Sequence, residues 1–231
     1  MRDIPDKKPL PPFPPQIDEA SLVRGEDLYA ELDASADDPP APEGQLYINQ
    51  DLSYTSCRGA EFRACIFRGC DLRGAQWKDA AFTDVVFDRC DLSNTRFAGL
   101  YLQRVHLIGC KLLGSDLSAA RLRSVRFTEC PMRMVNLSAC KINQVVFSDC
   151  QLTEAGLQSL TEIKNLTLNN CDLTRAELLN TKLSGLDLTT CQLDGILLQG
   201  APELRGAIVT ASQALALSSL LGLRIKEGGS K

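Results

Sequence analysis

The residues best equipped for chemistry in this 231-residue chain are ten cysteines, accompanied by a single histidine, His106. Seven of the thiols keep a fixed interval. Cys70, Cys90, Cys110, Cys130 and Cys150 recur every twenty residues, and Cys171 and Cys191 continue the series one position late. Thiols ligate zinc or iron–sulfur clusters, form disulfides, or act as nucleophiles. A metal needs ligands that converge from several directions, whereas a column sets its thiols in one line. Neighbouring members would lie within disulfide range. The opening Met-Arg-Asp-Ile-Pro has no apolar export segment, however, and no run of 18 apolar residues occurs anywhere. The chain therefore reads as cytoplasmic and without a membrane span, and its thiols as reduced, buried side chains.

His106 falls at an outward position with no cysteine or carboxylate converging on it. Glycine-rich phosphate loops, nucleophile elbows and metalloprotease motifs are absent from the sequence. These observations predict a protein that is not an enzyme, with no catalytic residue, cofactor or metal.

An interval of twenty requires elements that return the chain to the same place. From Leu52 an apolar residue stands every fifth position: Leu52, Cys57, Phe62, Phe67, Leu72, Trp77, Phe82 and onward to Leu157, 22 positions with none polar. Two residues before each sits a smaller one, such as Ala60, Cys65, Cys70, Ala75 and Val85. A separation of two puts both on one side of an extended segment. A period of five fits neither a helix nor a long strand, so each pentad is a short side followed by a bend. Four bends close one coil of twenty residues. Aromatic residues stack by the same rule, Phe67, Phe87, Phe127 and Phe147 sharing one face with only Leu107 interrupting. Some seven coils at strand spacing predict a rod of roughly 35 Å.

Cys70-Asp-Leu-Arg-Gly, Cys90-Asp-Leu-Ser-Asn, Ser115-Asp-Leu-Ser-Ala, Cys171-Asp-Leu-Thr-Arg and Ala176-Glu-Leu-Leu-Asn resemble the repeat of the pentapeptide-repeat family. That resemblance implies an all-β solenoid, a right-handed quadrilateral β-helix, here with a C-terminal capping helix. Two departures stand out. Pro131 removes a backbone donor at an outward position. The spacing between Leu157 and Ile163 is six, which predicts one bulged residue near 158–162, between Gln158 and Thr161. Some members of the family use such interruptions as recognition loops.

Three segments follow from these patterns: a leader over 1–45, the β-helix over 46–200, and a cap with its tail over 201–231. Nine of the eleven prolines lie between Pro5 and Pro42, predicting a flexible polyproline leader. Within it, Leu22, Leu28, Tyr29 and Leu32 allow a short helix over an open coil end, weakened by Gly25. Thr210 to Gly222 reads as a helix with Thr210 or Ser212 as N-cap, then a short strand at Leu223 to Lys226 and a frayed tail. Capping is the first role of that helix; a homodimer formed through it is the alternative, an arrangement similar to that of topoisomerase-binding relatives.

Residues 1–50 carry eleven acids against four bases, leaving the remainder slightly positive. Arg58, Arg63, Arg68, Arg73 and Lys78 follow five consecutive apolar centres and form a basic collar around the first coil. Ile108 and Leu113 add outward apolar residues on adjoining faces. These seven are the candidate partner-binding residues. The reading they support is a scaffold for an unidentified protein partner, with direct nucleic-acid binding disfavoured. The family resemblance offers a second reading, a DNA mimic that binds DNA gyrase or topoisomerase IV and protects it from quinolones. Mimicry of this kind needs long acidic columns, yet the stack Asp51, Asp71, Asp91 continues as Lys111, Pro131 and Gln151.

Overall fold

The computed structural model describes residues 11–34 and 39–222. The strand expected at Leu223 to Lys226 and the tail beyond it lie outside them. Strand β1 (Val23–Arg24) and helix α1 (Leu28–Ala34) precede the coils. Short strands β2 (Gln45–Ile48), β3 (Ser56–Arg58), β4 (Glu61–Arg63), β5 (Ile66–Arg68) and β6 (Gln76–Lys78) then give way to longer ones. These are β7 (Ala81–Asp88), β8 (Tyr101–Ile108), β9 (Arg121–Thr128), β10 (Lys141–Ser148) and β11 (Thr161–Asn169), followed by helices α2 (Ala201–Leu204) and α3 (Ala211–Leu217).

Every strand pair among the described residues is parallel, and from β2 to β10 matched residues are twenty apart: Phe67 with Phe87, Phe87 with Leu107, Leu107 with Phe127, Phe127 with Phe147. The result is a parallel β-solenoid of about seven turns. Corners arise from a left-handed residue every fifth position. Asp84, Arg104, Ser124 and Gln144 all have φ between 52° and 57°, so β7 to β10 each bend at their middle and serve two sides of the coil. The Asp that precedes many centres holds the next corner, its Oδ1 accepting the amide of Ser53, Arg73, Ser93 or Ser118 at 3.0 Å.

The apolar centres and their small partners fill one continuous core. Aromatic rings stack along it, Phe67 on Phe87 at 4.9 Å and Phe127 on Phe147 at 4.7 Å. Tyr47, 1% exposed, begins that stack 5.0 Å from Phe67. The column thus starts one coil earlier than the pentads from Leu52 suggest. Column thiols lie against carbonyls of the preceding coil, as Cys90 does on Phe67 and Cys110 on Phe87, both at 3.3 Å. Pro131 still accepts from the Leu112 amide at 2.8 Å while offering no donor in return.

The bulge lies at the C-terminal edge of the stretch expected near 158–162. Lys141 pairs with Thr161 but Asn143 pairs with Lys164, which sets Glu162 and Ile163 opposite the single residue Ile142. Leu160 keeps its inward place because the Thr181 hydroxyl takes its amide at 3.1 Å, and Thr161 still donates to Cys140 at 2.9 Å. The first centre free to shift is Glu162, a residue that gains nothing by pointing inward.

Where it is described, the proline-rich leader touches the rod at a few points. The Gln16 amide donates to Asp84 at 2.8 Å, and Glu19 reaches Arg68 at 2.9 Å. Pro12 is buried, as are Ile66 and Val146, which face outward from their strands and stand apart from the core. Residues 11–22 therefore run down the outer face of the long sheet. β1 then pairs with β2 and shields the first coil's edge. Leu28 and Leu32 of α1 enter the core and plug its open end. At the other end Thr210 caps α3 with Gln213, whose side-chain amide also donates to the carbonyls of Leu188 and Cys191 at 2.8 Å each. Acceptors left open by the last coil are satisfied there.

Candidate interaction surface

The solenoid turns one residue of every pair outward at heights fixed by backbone pairing, so the chemistry of its surface is set by columns. Four members of the basic collar already hold carboxylates. Arg58 meets Asp79 at 3.3 Å, Arg63 meets Glu61 at 2.7 Å, and Arg68 meets Glu19 at 2.9 Å and Asp88 at 3.0 Å. Arg73 grips Asp71 with two nitrogens, Nε lying 2.9 Å from Oδ1. Arg73 holds the Asp71 carboxyl below the usual carboxylate range, and Arg89, helped by Arg68, does the same for Asp88. Lys78 stands in register with Arg58, and with Arg96 both line a groove of about 610 Å³ beside Cys57 and Leu32. The collar is thus brought together only in part, since its members point to different sides of the rod.

Ile108 is half-buried between its register neighbours Asp88 and Thr128. Leu113 is 40% exposed at a corner, one coil below the exposed Met134. His106 is half-buried, its Nε2 lying 3.0 Å from the Thr128 hydroxyl. Burial, with Arg126 as a lesser cause, keeps its imidazole below the ordinary histidine value. Among the described residues no cluster of three or more His, Cys, Asp or Glu is arranged to hold a metal. Nor is any helix among them long and apolar enough to cross a membrane.

A second basic surface escaped the reading by pentads. Arg121 and Arg123 of β9, Lys141 of β10 and Lys164 of β11 are all exposed on one side of the rod. Lys141 binds Glu162 at 2.6 Å, and that contact, helped by Lys164 and Arg121, holds the Glu162 carboxyl below its usual range. Among the described residues Arg121, Arg123 and Lys164 form no ion pair of their own within 4.0 Å. The signal was available: sorting outward residues by twenty, as the apolar ones were sorted, sets Arg121 beneath Lys141.

Three profiles of pentapeptide repeats match the chain, one described as a pentapeptide repeat region over residues 100–161 and two as pentapeptide repeats over 62–106 and 164–200. No curated protein sequence matches. Among solved structures, the chain is similar to HetL of Nostoc sp., a pentapeptide repeat protein involved in heterocyst differentiation regulation. Identity is 17%, over 81% of this chain and 97% of that one, with a TM-score of 0.44. It is also similar to QnrB1, a plasmid-mediated fluoroquinolone resistance protein, at 17% identity over 79% of this chain and 100% of that one, with a TM-score of 0.39. With the repeat profiles spanning most of the solenoid and the coils built as the pentads require, the chain belongs to the pentapeptide-repeat family.

Proposed function

We propose that the protein is a non-enzymatic cytosolic scaffold that presents a rigid repeat surface to another protein. The observation that carries this reading is the register of the long sheet. From β7 to β10, outward residues hold matched heights over consecutive coils, so charged side chains leave the backbone at fixed spacings. A preorganised surface of this kind binds with little ordering cost. Arg58→Glu with Lys78→Glu alters the collar without touching the Glu19 contact that pins the leader. In affinity capture, loss of a partner with an unchanged circular dichroism spectrum supports the collar. Retained capture retires it as the contact surface.

Two further readings have specific observations behind them. Leu197, Ile208, Leu215 and Leu220 are all at least 40% exposed around the C-terminal end, which favours self-association through α3. Light scattering on wild type and Leu215→Asp tests it, and two monomers of equal mass would end it. A gyrase-binding duplex mimic draws on the stacked bridges Asp51 to Asp71 to Asp91. That column meets Lys111 next, 3.9 Å from Asp91. A supercoiling assay with purified protein, with and without a quinolone, tests this reading, and no effect retires it.

A further inference from the structure

The outward rows of β9, β10 and β11 carry a charge pattern that folding does not explain. Arg121 and Lys141 are register neighbours on adjacent strands, and like charges placed opposite one another cost stability. Arg58 and Lys78 are also cations in register, and there Arg58 is drawn to Asp79 at 3.3 Å. At two further places the rod stacks opposite charges twenty residues apart. Arg104 lies on Asp84 at 2.6 Å and Arg68 on Asp88 at 3.0 Å. Even the acid stack of Asp51, Asp71 and Asp91 spends an oxygen of each carboxylate on its own corner amide. Arg123 shares the outward face of Arg121, two residues along, and Lys164 follows it through the register partner Asn143. Glu162 is a carboxylate placed among these cations, bound to Lys141 at 2.6 Å and near enough to Lys164 and Arg121 to feel both.

We infer that Arg121, Arg123, Lys141 and Lys164 bind an extended acidic segment of a partner protein. This rests on the scaffold reading and names the chemistry of the partner. Same-face residues of an extended peptide recur at about 6.6 Å, which matches the spacing of Arg121 and Arg123 on their own strand. Guanidinium groups take carboxylates in two-pronged contacts that lysine cannot copy. The amides of β9 are engaged in coil pairing, so a partner is held through side chains rather than by strand addition. A nucleic-acid strand would draw on aromatic platforms for its bases. The patch offers Tyr101 alone, and its hydroxyl is tied to Gln103.

Fluorescence anisotropy with a fluorescein-labelled peptide of alternating Glu and Ser tests the inference on the full chain, with Arg121→Gln/Arg123→Gln and, as a control outside both basic surfaces, Lys111→Gln as variants. The expected result is saturable binding that weakens as salt rises, falls about tenfold in the Arg121→Gln/Arg123→Gln protein and is kept by the Lys111→Gln protein. A labelled oligothymidylate serves as the competing probe. Equal binding by wild type and the Arg121→Gln/Arg123→Gln protein, or no binding at low salt, overturns the inference while leaving capture through another face untouched. Tighter binding of the oligothymidylate overturns the peptide assignment.

Discussion

Lys141 lies directly across from Arg121 on the neighbouring strand, both exposed, with Glu162 bound to Lys141 at 2.6 Å. Removing one charge from this row relieves repulsion and breaks no ion pair formed by Arg121. Arg121→Gln is therefore predicted to shift unfolding free energy by no more than about 0.5 kcal/mol. Urea denaturation checks it. A loss well above that would mean that Arg121 supports the coil and is not held in reserve for a partner.

The N-terminal plug depends on a missing side chain. A Cβ at Gly25 would lie 2.3 Å from Cε1 of Tyr47, whose ring is buried and stacked on Phe67. Neither can withdraw freely, so Gly25→Ala is expected to cost about 1–3 kcal/mol. Hydrogen exchange should show the loss concentrated in β1 and β2, and uniform protection would contradict this account.

Burial pushes the Cys140 thiol up from 9.0 to about 12, and Cys57, only half-buried, rises to about 12 for the same reason. A thiol raised in the folded state contributes stability that is fully present below pH 9.0 and lost as pH climbs toward 12. Alkaline unfolding should begin in that window and be blunted in Cys140→Ala. At neutral pH the column should resist a maleimide until the chain unfolds, with Cys57 labelled first. Rapid native-state labelling of several column members would show that they do not face inward.

Ile66 points outward yet is only 4% exposed. If the leader covers it, Ile66→Lys should release residues 16–24 from protection in hydrogen exchange while the β7 to β11 amides keep theirs. The cost should fall near 1.5–3 kcal/mol, the value of burying such a side chain. Unchanged protection of the leader would place its anchor elsewhere.

The solenoid was legible because its core obeys one rule. A position such as Phe87 must be apolar in every coil, so a single chain contains many independent statements of the same constraint. The leader was not legible, because its contacts are made by single groups. Gln16 uses a backbone amide and Pro12 a surface that any proline has, and neither leaves a pattern. The bulge was found to within a few residues, its final place depending on the Thr181 hydroxyl one coil away. The collar was chosen from spacing along the chain, whereas binding depends on what each arginine meets. Arg68 meets Glu19 and Asp88 only in the folded chain, and Arg121 is set beside Lys141 only by coil pairing.

The most direct test of a scaffold with an acidic partner is site-specific photo-cross-linking in cells, with a benzophenone residue placed either at Gln103, beside Arg123, or at Thr189 on another part of the rod. The account predicts a discrete adduct from Gln103, with the attached peptide rich in Asp and Glu by mass spectrometry, that disappears in the Arg121→Gln/Arg123→Gln protein. Thr189 should give none. Equal adducts from both positions, or a Gln103 adduct that survives loss of the two arginines, would contradict it.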